Sequence, residues 1–258
     1  MCIGFVKGIM RLIALSSLLV LSSCASMLNA PTPMASTKYA RSEGGSKCLV
    51  VLLPGVGDKA ENFEKYGFIE AVRARGLSVD LIAAEATYGY YAKGVLVERL
   101  GADVVLPAQG TGYAQTWVMG ASMGGMGTLL YSRDHAKEIS GIFMLAPFLG
   151  DPAIAEEVKK AGGLSKWQAP PAAATVTEDN YQREVWRWLQ AVTDGREPGP
   201  RVYLGWGTED RLAPQATVLS EALPPERIFP VPGPHKWAIW KTSFDKFLDS
   251  SDFARDCR

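Results

Sequence analysis

The stretch that most constrains this chain is Trp117-Val118-Met119-Gly120-Ala121-Ser122-Met123-Gly124-Gly125-Met126-Gly127. A short apolar run enters Gly-x-Ser-x-Gly, spelled by Gly120, Ser122 and Gly124. Small residues then open an apolar, helix-like run through Thr128, Leu129, Leu130 and Tyr131. Glycine two residues either side of the serine suits a tight strand-to-helix turn, because a Cβ there would strike the neighbouring strand or helix. Such an elbow holds its serine strained and exposed. The rest of the chain must supply a sheet to carry it.

The flanking pattern does so. Residues 48–53 (CLVVLL) form a continuous apolar run, the mark of a strand buried on both faces. It breaks at Pro54-Gly55-Val56-Gly57-Asp58, which is turn chemistry. Residues 62–75 carry Phe63, Tyr66, Ile69 and Val72 at helical spacing, and Gly76 stops them. Strands are expected at 77–83, 117–120, 139–147, 201–205 and 227–231. Helices are expected at 123–135, 179–192, 215–223 and 236–248, with part of 94–109 helical and Pro107 marking an end. Strands alternating with helices argue for a mostly parallel sheet covered on both faces. Between 151 and 200 the alternation pauses. This helical insertion before the penultimate strand reads either as a cap or as simple packing helices anchored by Trp186 and Trp188.

Elbow, strand order and downstream loops together resemble the α/β-hydrolase family, in the manner of its serine esterases and lipases. The resemblance covers roughly residues 48–248. It implies an α/β fold with a helix-covered, mostly parallel central sheet and a Ser-Asp-His triad in that chain order. A serine hydroxyl is a poor nucleophile until a base takes its proton, and a histidine needs a carboxylate to fix its tautomer. The histidine downstream of Ser122 is His235, in the Pro232-Gly233-Pro234 loop after the last strand. His135 precedes any acid and reads as a cation at a helix end. Asp210, in Gly207-Thr208-Glu209-Asp210-Arg211-Leu212-Ala213-Pro214, resembles the family's Gly-x-x-Asp-x-x-x-Pro acid loop. Asp151 and Asp194 are weaker candidates. The oxyanion hole is expected from the backbone N–H groups of Met123 and Val56, with Gly55 the alternative to Val56. Family members often carry His-Gly in that turn, where this chain has Pro54-Gly55. Tyr88, Tyr90, Tyr91, Trp237 and Trp240 are candidates to face the pocket or to fill the core.

The N-terminus reads as a targeting segment. Lys7 and Arg11 precede an apolar run at 12–21, too short to cross a bilayer as a helix. The run ends in Leu21-Ser22-Ser23-Cys24, which resembles a bacterial lipobox. The expectation is a signal peptide over 1–23, with translation starting at Met1 or Met10, and lipidation of the Cys24 thiol. A flexible tether over 24–47 and the hydrolase domain over 48–258 would follow. The lipobox resemblance implies membrane contact through Cys24 in the cell envelope and, because Ala25 is not aspartate, outer-membrane sorting is expected in a Gram-negative host. Cys48 and Cys257 remain, either bridged in an oxidising compartment or free.

The chain has 258 residues, enough for one large domain, and 27 basic against 27 acidic side chains. The charge balance weighs against a nucleic-acid partner. With two histidines and no Cys/His cluster at ligand spacing, no metal or other cofactor is expected. The leading function is cleavage of a small-molecule or lipid carboxylic ester through an acyl-enzyme. Acyl transfer or thioester cleavage by the same triad is the alternative, and a non-catalytic envelope lipoprotein is the alternative from a different class. Oligomeric state is left open.

Overall fold

The computed structural model describes residues 28–41, 45–110, 112–249 and 251–258. Cys24 and the expected signal peptide lie outside the described residues.

Seven strands form one sheet in the order β1-β3-β2-β4-β5-β6-β7. They are β1 (Ser36–Tyr39), β2 (Cys48–Leu53), β3 (Val79–Ala84), β4 (Gln115–Ala121), β5 (Gly141–Leu145), β6 (Arg201–Gly207) and β7 (Ile228–Val231). All neighbours pair in parallel except β1, which runs antiparallel to β3. Every residue of β2, β3 and β5 is buried, as expected of strands covered on both faces. This is the expected α/β-hydrolase architecture, with its helical insertion between β5 and β6.

The principal helices are α1 (Phe68–Ala74), α2 (Met123–Asp134), α3 (Pro152–Lys160), α4 (Tyr181–Thr193), α5 (Ala213–Ser220) and α6 (Trp237–Leu248). Their packing falls into two groups. α6 packs on α1 and on β5, β6 and β7, while α2 packs on β2, β4, β5 and α4. Under α6 lies an aromatic layer in which Phe143 and Phe247 stack at 4.2 Å and Phe253 meets Trp117 edge-on at 4.9 Å.

Several expectations need correction. The tether expected over 24–47 is docked on the domain from residue 28 to residue 41. β1 pairs Ser36 with Ala84 and Tyr39 with Leu81. Met34 is buried, and the Tyr90 hydroxyl donates to the Pro31 carbonyl at 2.6 Å. The polar composition hid this strand, because an edge strand satisfies its backbone on one side and needs little apolar surface.

The helix expected over 62–75 is broken into Asn62–Lys65 and α1 by Gly67, at φ 78°. Pro107 does not end its helix. The segment runs Leu96–Leu100, π-helical Gly101–Val105 and Leu106–Gln109. A proline lacks the N–H for an i−4 bond and its ring crowds that carbonyl, so the wider π turn just upstream relieves the conflict.

In the insertion, Trp186 and Trp188 are core residues, and the Trp186 indole N–H donates to the Leu149 carbonyl at 2.9 Å. Cys48 and Cys257 are joined in a disulfide that ties β2 to the C-terminal helix Ser251–Asp256 across 209 residues.

Candidate active site

Ser122 stands between the last residue of β4 and the first of α2 with φ 53° and ψ −115°. A non-glycine residue at positive φ costs about 1–3 kcal/mol and persists only where its surroundings hold it. Those surroundings are visible. Ser122 N–H donates to the Leu145 carbonyl at 2.8 Å, and its own carbonyl accepts from Gly125 N–H at 3.0 Å and Phe148 N–H at 2.9 Å. The flanking glycines allow the approach. A Cβ on Gly120 would collide with the Gly124 backbone, and one on Gly124 with the Leu53 carbonyl. Gly125 is held as closely, since its Cβ would lie 2.6 Å from Pro147 Cβ.

Three side chains from distant loops meet here. His235 Nε2 lies 3.0 Å from Ser122 Oγ, and His235 Nδ1 lies 2.6 Å from Asp210 Oδ2. Asp210 follows β6 and its side chain is wholly enclosed. Its other oxygen, Oδ1, accepts from Leu212 N–H at 2.8 Å. The imidazole is therefore held in one orientation between a buried carboxylate and the serine hydroxyl. Its Trp240 neighbour meets it edge-on at 4.8 Å.

The weaker acid candidates are occupied elsewhere. Asp151 caps α3 by accepting from Ala153 N–H at 2.9 Å, and Asp194 pairs with Arg196 at 3.2 Å. His135 follows α2, stacks on Tyr131 at 4.3 Å and lies 3.4 Å from Glu138.

The turn after β2 passes against the elbow. A Cβ on Gly55 would lie 3.3 Å from Ser122 Cβ. Val56 and Met123 N–H groups make no hydrogen bond among the described residues. Met123 is the first residue of α2, where a helix leaves its N–H groups unpaired and favours negative charge. Met123 N–H and an N–H of the Gly55-Val56 turn, which likewise makes no hydrogen bond among the described residues, can together receive an oxyanion.

A cleft of about 430 Å³ opens at Ser122 and His235, with Val56, Tyr66, Trp237 and Trp240 in its wall. Trp237 stacks on Tyr66 at 5.0 Å and donates its indole N–H to Asp58 Oδ1 at 3.0 Å. Asn62 donates to the same oxygen at 2.8 Å. Of the aromatic candidates, Trp237 and Trp240 reach the cleft and Tyr88, Tyr90 and Tyr91 do not. Tyr90 is in the core, and Tyr91 points its hydroxyl at Gly127, where burial pushes its ionisation above the tyrosine range. Sequence reasoning missed Tyr66, read only as a helix-face residue, and Asp58, read only as turn chemistry. It also passed over Arg211 and Lys236, which line the cleft directly after the acid and the histidine. Their adjacency to those two residues was the available signal.

The comparisons with known proteins bear on the family and the fold. The chain matches the Esterase family, described as "Putative esterase", over residues 35–249. No curated protein matches it in sequence. Among solved structures, a ferulic acid esterase is 14% identical at a TM-score of 0.58, over 86% of this chain and 92% of its own. The S-formylglutathione hydrolase FrmB from Staphylococcus aureus is 13% identical at 0.56, over 83% and 94%. Est1E from Butyrivibrio proteoclasticus is 17% identical at 0.52, over 86% and 96%. At these identities the likeness shows a shared fold, whereas the family match spans most of the chain. The chain belongs to the Esterase family and is a hydrolase of the α/β-hydrolase fold.

Proposed function

We propose that the protein cleaves carboxylic esters through an acyl-enzyme, with Ser122 as nucleophile, His235 as general base and acid, and Asp210 as the group that orients His235. The observation that carries this is the continuous chain of contacts from Asp210 through His235 to Ser122, at 2.6 and 3.0 Å. With its Nδ1–H given to Asp210, His235 presents an unprotonated Nε2 to the serine hydroxyl. Ser122 Oγ attacks the ester carbonyl as its proton moves to Nε2, and the carbonyl oxygen becomes an oxyanion. The N–H groups of Met123 and Val56 receive that charge. The intermediate collapses, the C–O bond to the alcohol breaks, and the imidazolium returns the proton to the leaving oxygen. Water then repeats the sequence on the acyl-serine, releasing the acid and restoring Ser122.

Labelling by a fluorophosphonate probe, located by mass spectrometry, tests the assignment. Labelling of Ser122 in the folded protein, together with loss of p-nitrophenyl ester turnover in Ser122→Ala, is the expected result. Turnover that survives in that variant would defeat it.

The cellular setting is part of the same proposal. The Cys24 pattern supports a lipid-anchored enzyme of the bacterial cell envelope, and the Cys48–Cys257 bridge fits an oxidising compartment. Residues from Leu28 onward are docked on the domain, four positions after Cys24. At about 3.5 Å per extended residue, a lipid on Cys24 holds the domain within about 14 Å of the bilayer. Replacing Cys24 with serine should move the enzyme from the membrane fraction to the soluble one. Retention in the membrane fraction would remove the anchor from the proposal.

A further inference from the structure

Two cations stand at the mouth of the cleft with nothing to pair with. Arg211 and Lys236 both line it, beside Ser122 and His235. Neither side chain has a hydrogen-bond or ion-pair partner among the described residues. Among the described arginines only the C-terminal Arg258 shares this lack of a partner. Every other arginine from Arg41 to Arg255 engages a carboxylate, a hydroxyl, a carbonyl or an aromatic ring.

The nearby acids do not neutralise them. Asp58 is the carboxylate in this cleft, held on one oxygen by Trp237 and Asn62, and it pairs with neither cation, so two positive charges face one negative. Glu209, next to Asp210 in sequence, lines a different cleft together with Glu156, Lys159 and Glu221. Another cation, Lys65, sits 5.5 Å from the ring of Tyr66 in the cleft wall. A chain of zero net charge thus presents a locally positive cleft. Concave, partly desolvated clefts focus such a field on whatever enters them.

Resting on the esterase reading, we propose that Arg211 and Lys236 select esters whose alcohol portion carries a fixed negative charge. The side of the ester follows from the histidine. The leaving oxygen must come within hydrogen-bond reach of His235 Nε2 to receive its proton. The alcohol portion therefore lies along the histidine loop, whose next residue is Lys236. Arg211 extends from the acid loop that holds the same histidine. A guanidinium fork and an ammonium suit a carboxylate or a phosphate equally, so the shared feature is the anion. The flat faces of Trp237 and Tyr66 suit an aromatic or unsaturated body between ester and charge.

The test compares matched aryl esters on the wild-type protein and on Arg211→Gln, Lys236→Gln and the double variant. 4-Acetoxybenzoate carries the charge on the alcohol portion, its methyl ester carries none, and monophenyl succinate carries it on the acyl portion. The readout is kcat/KM for each charged ester divided by that for the methyl ester. The 4-acetoxybenzoate ratio should fall about threefold for each cation removed, the scale of one partly exposed ion pair, and about tenfold in the double variant. It should also fall as salt is raised, because the attraction is screened. The monophenyl succinate ratio should stay nearly constant. A 4-acetoxybenzoate ratio that does not move in the double variant, while the methyl ester is still hydrolysed, overturns this inference and leaves the esterase reading standing. Equal falls for both charged esters overturn the assignment to the alcohol side. Turnover of no ester by a wild-type protein that also resists the fluorophosphonate overturns both readings.

Discussion

Asp210 holds His235 with one carboxylate oxygen and the backbone with the other: Oδ2 lies 2.6 Å from Nδ1, and Oδ1 accepts from Leu212 N–H at 2.8 Å. This division of labour makes Asp210→Asn informative. The amide must keep its oxygen toward Leu212, so its NH2 faces His235. Imidazole can then only accept at Nδ1, and its proton moves to Nε2, where it blocks proton uptake from Ser122. We expect kcat on p-nitrophenyl acetate to fall about 10⁴-fold, with the thermal midpoint little changed. A loss under tenfold would show that Asp210 does not set the tautomer.

Gly124 carries the next prediction. Its Cβ position is filled by the Leu53 carbonyl, a backbone atom of the central strand β2 that cannot rotate away. Gly124→Ala should destabilise the domain by about 3 kcal/mol and slow fluorophosphonate labelling of whatever folded protein remains. Wild-type stability in denaturant titration would refute the close approach.

The disulfide is expected to matter for stability. It closes a loop of 209 residues between β2 and the last helix. Double replacement of Cys48 and Cys257 by serine should cost about 2–5 kcal/mol, read as a drop on the order of 10 °C in melting temperature. Reductant should lower the wild-type midpoint and leave that of the double variant unchanged.

Asp80 predicts an acid limit. Burial alone would raise its pKa. Hydrogen bonds from Ser46, Tyr113 and the Arg41 backbone, together with Lys38, outweigh this and hold it below its ordinary 3.8. A carboxylate depressed by folding contributes stability that is complete above the unfolded value and lost as pH falls through the folded one. Wild-type stability should therefore decline as pH drops below about 4. Asp80→Asn should be less stable at neutral pH and show a shallower decline. Parallel curves would remove Asp80 from the explanation. These contacts hold down the segment around Arg41 and Ser46, so protease sensitivity there should rise in the variant.

Much of this protein is legible in its sequence. Apolar runs such as 48–53 announce buried strands because a strand covered on both faces cannot tolerate polar residues. Gly120 and Gly124 announce the elbow because nothing larger fits. Asp210 and His235 were found by their order after Ser122 and by the loops that hold them. The break at Gly67 and the π turn before Pro107 were less legible, since each is a local adjustment made under packing from elsewhere. β1 was invisible for a different reason. Its residues are polar and became a strand only because β3 offered an unpaired edge.

By itself, the sequence determined which residues could form strands, which turn could hold a strained serine, and which acid and base were eligible. Only the tertiary structure decided that residues 28–41 belong to the domain, that Cys48 and Cys257 are joined, and that Tyr66, Arg211 and Lys236 share a cleft with Ser122. The reason is physical. Periodicity and turn chemistry are set by neighbours along the chain. Charge pairing and cleft walls are set by residues 25 to 179 positions apart, and only folding brings these together.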